Sequence, residues 1–207
     1  MATIAKPPAV VETAEPTWDV AHLFPPQGMW SEEEYLELPT NHLVELCDGS
    51  LEVLPMPTQS HQLFVAYLYA RLLVFLEQHH PGALVLFAPM PVRLRAGKFR
   101  EPDIVVMLPE HADRRHDQYW ERPDLVMEVV SKDHRERDLE TKRKEYAAAG
   151  IPEYWIVDPQ REQIVVLVLA GEQYREHGTF ARGARAGSLL FPGFEILVDE
   201  VWAAARR

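Results

Sequence analysis

The sequence holds one cysteine in 207 residues, Cys47. An intramolecular disulfide is therefore excluded, and the fold must rest on packing and polar contacts. A reducing, cytoplasmic setting is the simplest expectation. Long apolar runs are missing too. A membrane-spanning helix needs about 20 consecutive apolar residues. The longest apolar stretch, residues 63–76, is broken by Arg71 and carries Tyr67 and Tyr69. The first residues, MATIAKPPAVVETAEP, contain no uninterrupted apolar segment and do not read as a secretion signal. Positive charge is scarce: 21 Lys and Arg stand against 32 Asp and Glu, a net charge of −11. Spread evenly, that balance would argue against a polyanionic partner.

The charge is not spread evenly. Residues 92–144 hold 13 of the 21 basic and 12 of the 32 acidic residues, so that segment is +1 and the remainder −12. A locally basic face and a well-mixed solvated surface are both compatible with this.

A chain of 207 residues is long enough for one buried core and short for two. Five of the 17 prolines fall within residues 1–28, which predicts an extended, flexible arm ahead of a single domain over 29–207. Ser31 with Glu34 forms a capping box at the start of a short helix. Two apolar runs around Asp48-Gly49 predict a β-hairpin. Residues 59–79 carry apolar side chains at helical spacing, closed by Pro81-Gly82. Strands are expected over 83–88, 91–95, 103–107, 123–130, 153–158 and 163–170, with a polar loop over 109–122. A charged helix is expected over 135–149, capped by Gly150. Weaker signals after Tyr174 predict an edge strand or two and a helix near 198–205. The order predicts an α/β domain with one central mixed sheet.

Two acidic residues stand out. Asp103 opens the strand DIVVM, at the end of a sheet, where sites commonly lie. A turn-forming aspartate beside Pro102 is the plain alternative. Glu128 sits among Val126, Met127, Val129 and Val130. Burying a lone carboxylate there costs several kcal/mol unless it is paired or binds a metal. An outward-facing glutamate on a half-exposed strand is the alternative. Asp138, Lys142 and Tyr146 lie at i, i+4 and i+8 on the following helix, forming one stripe. An ordinary Asp–Lys surface pair would produce the same spacing. Two carboxylates on neighbouring strands plus a lysine suit Mg²⁺ or Mn²⁺. Such an ion can polarise a phosphodiester and activate a water, while the lysine steadies the developing charge.

At these positions the sequence resembles the bacterial Uma family of restriction-endonuclease-like proteins, within the PD-(D/E)XK superfamily. The resemblance rests on VELCDGSLEVLPMPTQSHQ (44–62), REPDIVVM (100–107), PDLVMEVVS (123–131), RDLETKRKEYAAAGIPEYWIVDP (137–159) and LLFPGFEI (189–196). It implies a PD-(D/E)XK restriction-endonuclease-like core, a central mixed β-sheet flanked by helices. The family's Pro-Asp aspartate falls on Asp103 and its strand glutamate on Glu128. The superfamily's lysine normally follows that glutamate by two residues, where this chain has Val130. The resemblance implies that its role has moved to Lys142, with Lys144 as a neighbour pointing away. Glu45 matches an acidic position that would complete the metal shell, and His61 matches a histidine at the start of the long helix.

The expectation is a Mg²⁺-dependent (or Mn²⁺-dependent) endonuclease acting on DNA. Asp103, Glu128 and the carbonyl of Val129 would hold the metal. Lys142 and Glu45 would assist, with His61, Asp138 and Tyr146 as accessory groups. Arg93, Arg95, Arg135 and Arg143 would meet the nucleic acid. A homodimer would suit double-strand cutting. No organic cofactor and no membrane contact are expected. Two rivals remain: a catalytically inactive nuclease-like scaffold that binds nucleic acid or protein, and a metal-dependent hydrolase of small phosphoesters.

Overall fold

The computed structural model describes residues 24–40, 42–131 and 135–206, apart from the side chain of Asp138. The accessory role expected of Asp138 and most of the expected arm therefore lie outside the described residues. The arm's last residues are tied down. Leu51 N–H donates to Gln27 Oε1 at 2.7 Å, and Phe24 stacks on Trp30.

A capped helix, α1 (Glu32–Leu36), leads into the hairpin β1 (Val44–Cys47) and β2 (Ser50–Val53). Asp48 and Gly49 turn it with positive φ values of 50° and 79°. Two such residues match the right-handed twist of the flanking strands. A Cβ at Gly49 would stand 2.5 Å from the carbonyl oxygen of Gly28, so the turn admits no larger residue. Thr58 caps the long helix α2 (Gln59–His79), whose Phe64, Leu68, Leu72 and Leu76 form a buried stripe at i, i+4 spacing.

The strands after α2 divide between two sheets. The larger is formed by β3 (Leu84–Phe87), β6 (Ile104–Met107), β8 (Leu125–Val129), β9 (Glu153–Asp158), β10 (Gln163–Ala170) and β11 (Gln173–Ala181). Its order is β11-β10-β9-β8-β6-β3, and only β8 and β9 run parallel. The crossover between that parallel pair carries a π-helical turn (Arg137–Thr141) and then α3 (Lys142–Ala148). Both faces of β8 are buried, so its sequence is nearly all apolar. Leu125, Met127 and Val129 pack in one cluster with α2 and with α4 (Val198–Ala204). Val126 and Val130 pack in a second cluster with Tyr146 of α3.

The larger sheet is the expected central mixed sheet, and a second sheet stands beside it. β4 (Val92–Arg95) joins β1 and β2 in a second sheet of order β2-β1-β5-β4-β7. It is completed by β5 (Lys98–Arg100) and β7 (Trp120–Glu121), within segments that read as loops. A short pair, β12 (Arg185–Gly187) with β13 (Glu195–Leu197), precedes α4. Among the described residues, no helix is long and apolar enough to cross a membrane.

Candidate active site

β6 and β8 pair antiparallel with Ile104 opposite Met127. One step further, that register sets Asp103 opposite Glu128, with both side chains on the face that meets α3. Like charges opposed on antiparallel strands repel, and burial strengthens the repulsion. The arrangement therefore demands cations. Lys142 Nζ lies 2.8 Å from Glu128 Oε1, and His61 Nε2 lies 3.3 Å from Asp103 Oδ2. Neutral donors complete the support. Tyr146 donates its hydroxyl to Glu128 Oε1 at 2.5 Å, and the Val129 amide donates to Asp103 Oδ2 at 2.7 Å. Burial pushes the Tyr146 phenol well above its ordinary range, and the nearby Glu128 charge adds to that. Burial opposes a charge on His61, but its hydrogen bond to Asp103 and the charges of Asp103 and Glu128 outweigh it. The imidazole is shifted upward.

Asp103, Glu128, Val129, Lys142 and His61 line one cavity of about 390 Å³. Leu54, Pro55, Met56, Pro57 and Phe64 form much of its apolar wall. A volume of this size suits a small ligand or one portion of a larger one. The donor set fits a hard divalent cation: two opposed carboxylates and the strand carbonyl of Val129, the residue after Glu128. Among the described residues, no cluster of three or more His, Cys, Asp or Glu side chains offers a denser metal site.

The other expected residues fall elsewhere. Glu45 is fully buried, but it does not line the cavity. Its carboxylate accepts from Arg100 Nη1 at 2.6 Å, from the Glu101 amide at 3.1 Å, and from Arg137. Glu45 therefore anchors arginines beside the cavity instead of facing into it. The four arginines expected to meet nucleic acid are engaged within the chain. Arg93 pairs with Glu32 and Glu121, Arg95 with Asp48, and Arg135 with Asp158, while Arg143 donates to the Tyr174 carbonyl. Lys144 is exposed, which leaves Lys142 as the buried lysine of α3.

Two cavity residues escaped the sequence reading. Glu101 is 9% exposed, and its Oε2 has no hydrogen-bond partner among the described residues. Burial, then the charge of Glu45, pushes its carboxyl up to about 8 against a hydrogen bond from the Val44 amide. Arg137 lines the cavity from the π-helical turn. Regular helical spacing would place it about 140° from Lys142, so no periodic signal joins the two.

The domain is a mixed sheet with helices on both faces, and its opposed acidic residues and buried lysine border one cleft. The crystal structure of a putative nuclease belonging to DUF820 from Anabaena variabilis superposes with a TM-score of 0.70 at 16% identity. The match covers 87% of this chain and 99% of that one. The chain belongs to the Uma2 family, described as putative restriction endonucleases, whose profile matches residues 32–199. No curated protein matches the sequence.

Proposed function

We propose that the chain is a metal-dependent endonuclease that hydrolyses DNA phosphodiester bonds at the cavity walled by Asp103 and Glu128. The observation that carries this reading is the cross-strand opposition of these carboxylates, bordered by a buried lysine. Mg²⁺, or Mn²⁺ in its place, would be held by Asp103, Glu128 and the Val129 carbonyl. When bound, the ion would polarise the phosphodiester and lower the pKa of an attacking water.

The chain's own groups hold that arrangement. Tyr146 and the Val129 amide fix the carboxylate orientations, which limits rearrangement when substrate arrives. Lys142 places an ammonium at the cavity wall, where it orients water and offsets charge gathering on the phosphoryl oxygens. His61 orients Asp103 from the first turn of α2. A two-fold homodimer would present two such sites to the two strands of a duplex.

The test is cleavage of supercoiled plasmid with Mg²⁺ or Mn²⁺, beside Glu128→Ala and Lys142→Ala. Cleavage by the wild type that vanishes in both folded variants is the expected result. No cleavage at any metal or salt concentration would favour a binding scaffold, in which the Lys142–Glu128 pair is structural. Cleavage surviving Glu128→Ala would place the chemistry elsewhere.

A further inference from the structure

Among the described residues three basic side chains line the cavity: His61, Lys142 and Arg137. The first two pair with the cavity's own carboxylates, Asp103 and Glu128. Arg137 does not. Its partners are Glu45 and Glu52, on the first hairpin, and neither lines the cavity. Both bonds are made by Nη2, so among the described residues Nε and Nη1 have no acceptor. We propose that Arg137 is a substrate-phosphate ligand, turned toward the cavity by exchanging the carboxylate of Glu52 for a phosphodiester oxygen. The inference rests on the nuclease reading above and names the residue that receives the DNA backbone.

The π-helical turn places it for that task. Its i→i+5 bond, from the Lys142 amide to the Arg137 carbonyl, brings Lys142 nearly one full turn above Arg137. An α-helical turn would separate the two around the axis, whereas single π turns are frequent at functional sites. The anchoring is asymmetric. Arg100 Nη1 reaches both carboxylates, Glu45 at 2.6 Å and Glu52 at 2.8 Å, but the Glu45 side chain is 0% exposed and also accepts from the Glu101 amide, which fixes its position. The Glu52 side chain is 40% exposed, and water competes for it. A guanidinium presents paired donors that match a phosphate. A phosphodiester entering this cavity also meets the negative charge of Asp103 and Glu128. Arg137 supplies cationic charge from partners outside the cavity.

The experiment measures binding separately from cleavage. Anisotropy of a labelled DNA duplex would be followed in EDTA at graded KCl, with wild type, Arg137→Gln and Glu52→Gln. Losing one phosphate contact should lower the slope of log K against log salt by about 0.9. Arg137→Gln should show that loss, with binding about tenfold weaker. Glu52→Gln should bind more tightly than wild type with the slope unchanged. A wild-type slope in folded Arg137→Gln would overturn the inference, as would weaker binding by Glu52→Gln. Should Arg137→Gln fail to fold, Glu52→Gln decides alone: tighter binding supports the role, and unchanged or weaker binding rejects it. A wild type that cuts plasmid while Arg137→Gln keeps its slope rejects only this inference. A wild type that neither binds nor cuts rejects the nuclease reading as well.

Discussion

Glu45 and Glu128 look alike in sequence and meet opposite fates in the fold. Each sits inside a short strand between apolar neighbours, and each is almost completely buried, at 0% and 4% exposure. Glu45 is closed in by two guanidinium groups and an amide, away from the cavity. Among the described residues Glu128 accepts from the Tyr146 phenol and pairs with the Lys142 ammonium, and it lines the cavity beside a second carboxylate. A buried carboxylate therefore announces that partners exist, not that chemistry occurs. Full neutralisation by arginine makes a girder. A carboxylate that faces another acid across a cavity is the arrangement on which the metal-dependent reading rests.

Isosteric glutamines should break this pairing most sharply. Glu128→Gln is expected to lower plasmid cleavage by about 10³-fold, the scale of losing a principal catalytic group. Its stability should change little, because the substitution also relieves repulsion from Asp103. Glu45→Gln should do the reverse in equilibrium urea unfolding, costing about 3 kcal/mol by leaving buried Arg100 short of a counter-charge. Tyr146→Phe should cost about 2 kcal/mol in the same assay, since a buried carboxylate loses a donor.

A smaller effect should appear on acidification. Burial opposes the charged form of Asp158, but Arg135 and the amides of Arg161 and Gln160 outweigh it and hold the carboxyl below its ordinary value. A lowered folded-state pKa stabilises the fold above the unfolded value and is lost as pH falls. Arg135→Ala should therefore be less stable than wild type near neutrality, with the difference shrinking below about pH 5. Lys144→Ala, on the exposed side of α3, should change stability by less than about 0.5 kcal/mol and leave cleavage intact.

The parts legible in sequence are those where one local pattern dominates. α2 spans Gln59–His79, as its apolar spacing predicts, because that helix buries a single stripe. The Asp48-Gly49 hairpin and the apolar strands β8, β9 and β10 were equally plain. The second sheet was not. β5 is Lys-Phe-Arg and β7 is Trp-Glu, too short and too charged to read as strands. They pair only because the neighbours that take their backbone hydrogen bonds are brought to them by the rest of the fold. The same limit hid Arg137 and Glu101, whose importance lies in which wall they reach.

The sequence by itself determined the long helix, the apolar strands and the family resemblance, and it singled out Asp103, Glu128 and, through that resemblance, Lys142 as candidates. Periodicity and the cost of burying charge are local properties, and a chain carries them before it folds. Tertiary structure decided that Asp103 stands opposite Glu128, that Glu45 is sealed by arginines, and that the π turn brings Arg137 to the cavity. These depend on strand register and ion pairing between segments up to 92 residues apart. Such contacts exist only once the sheets have closed around them.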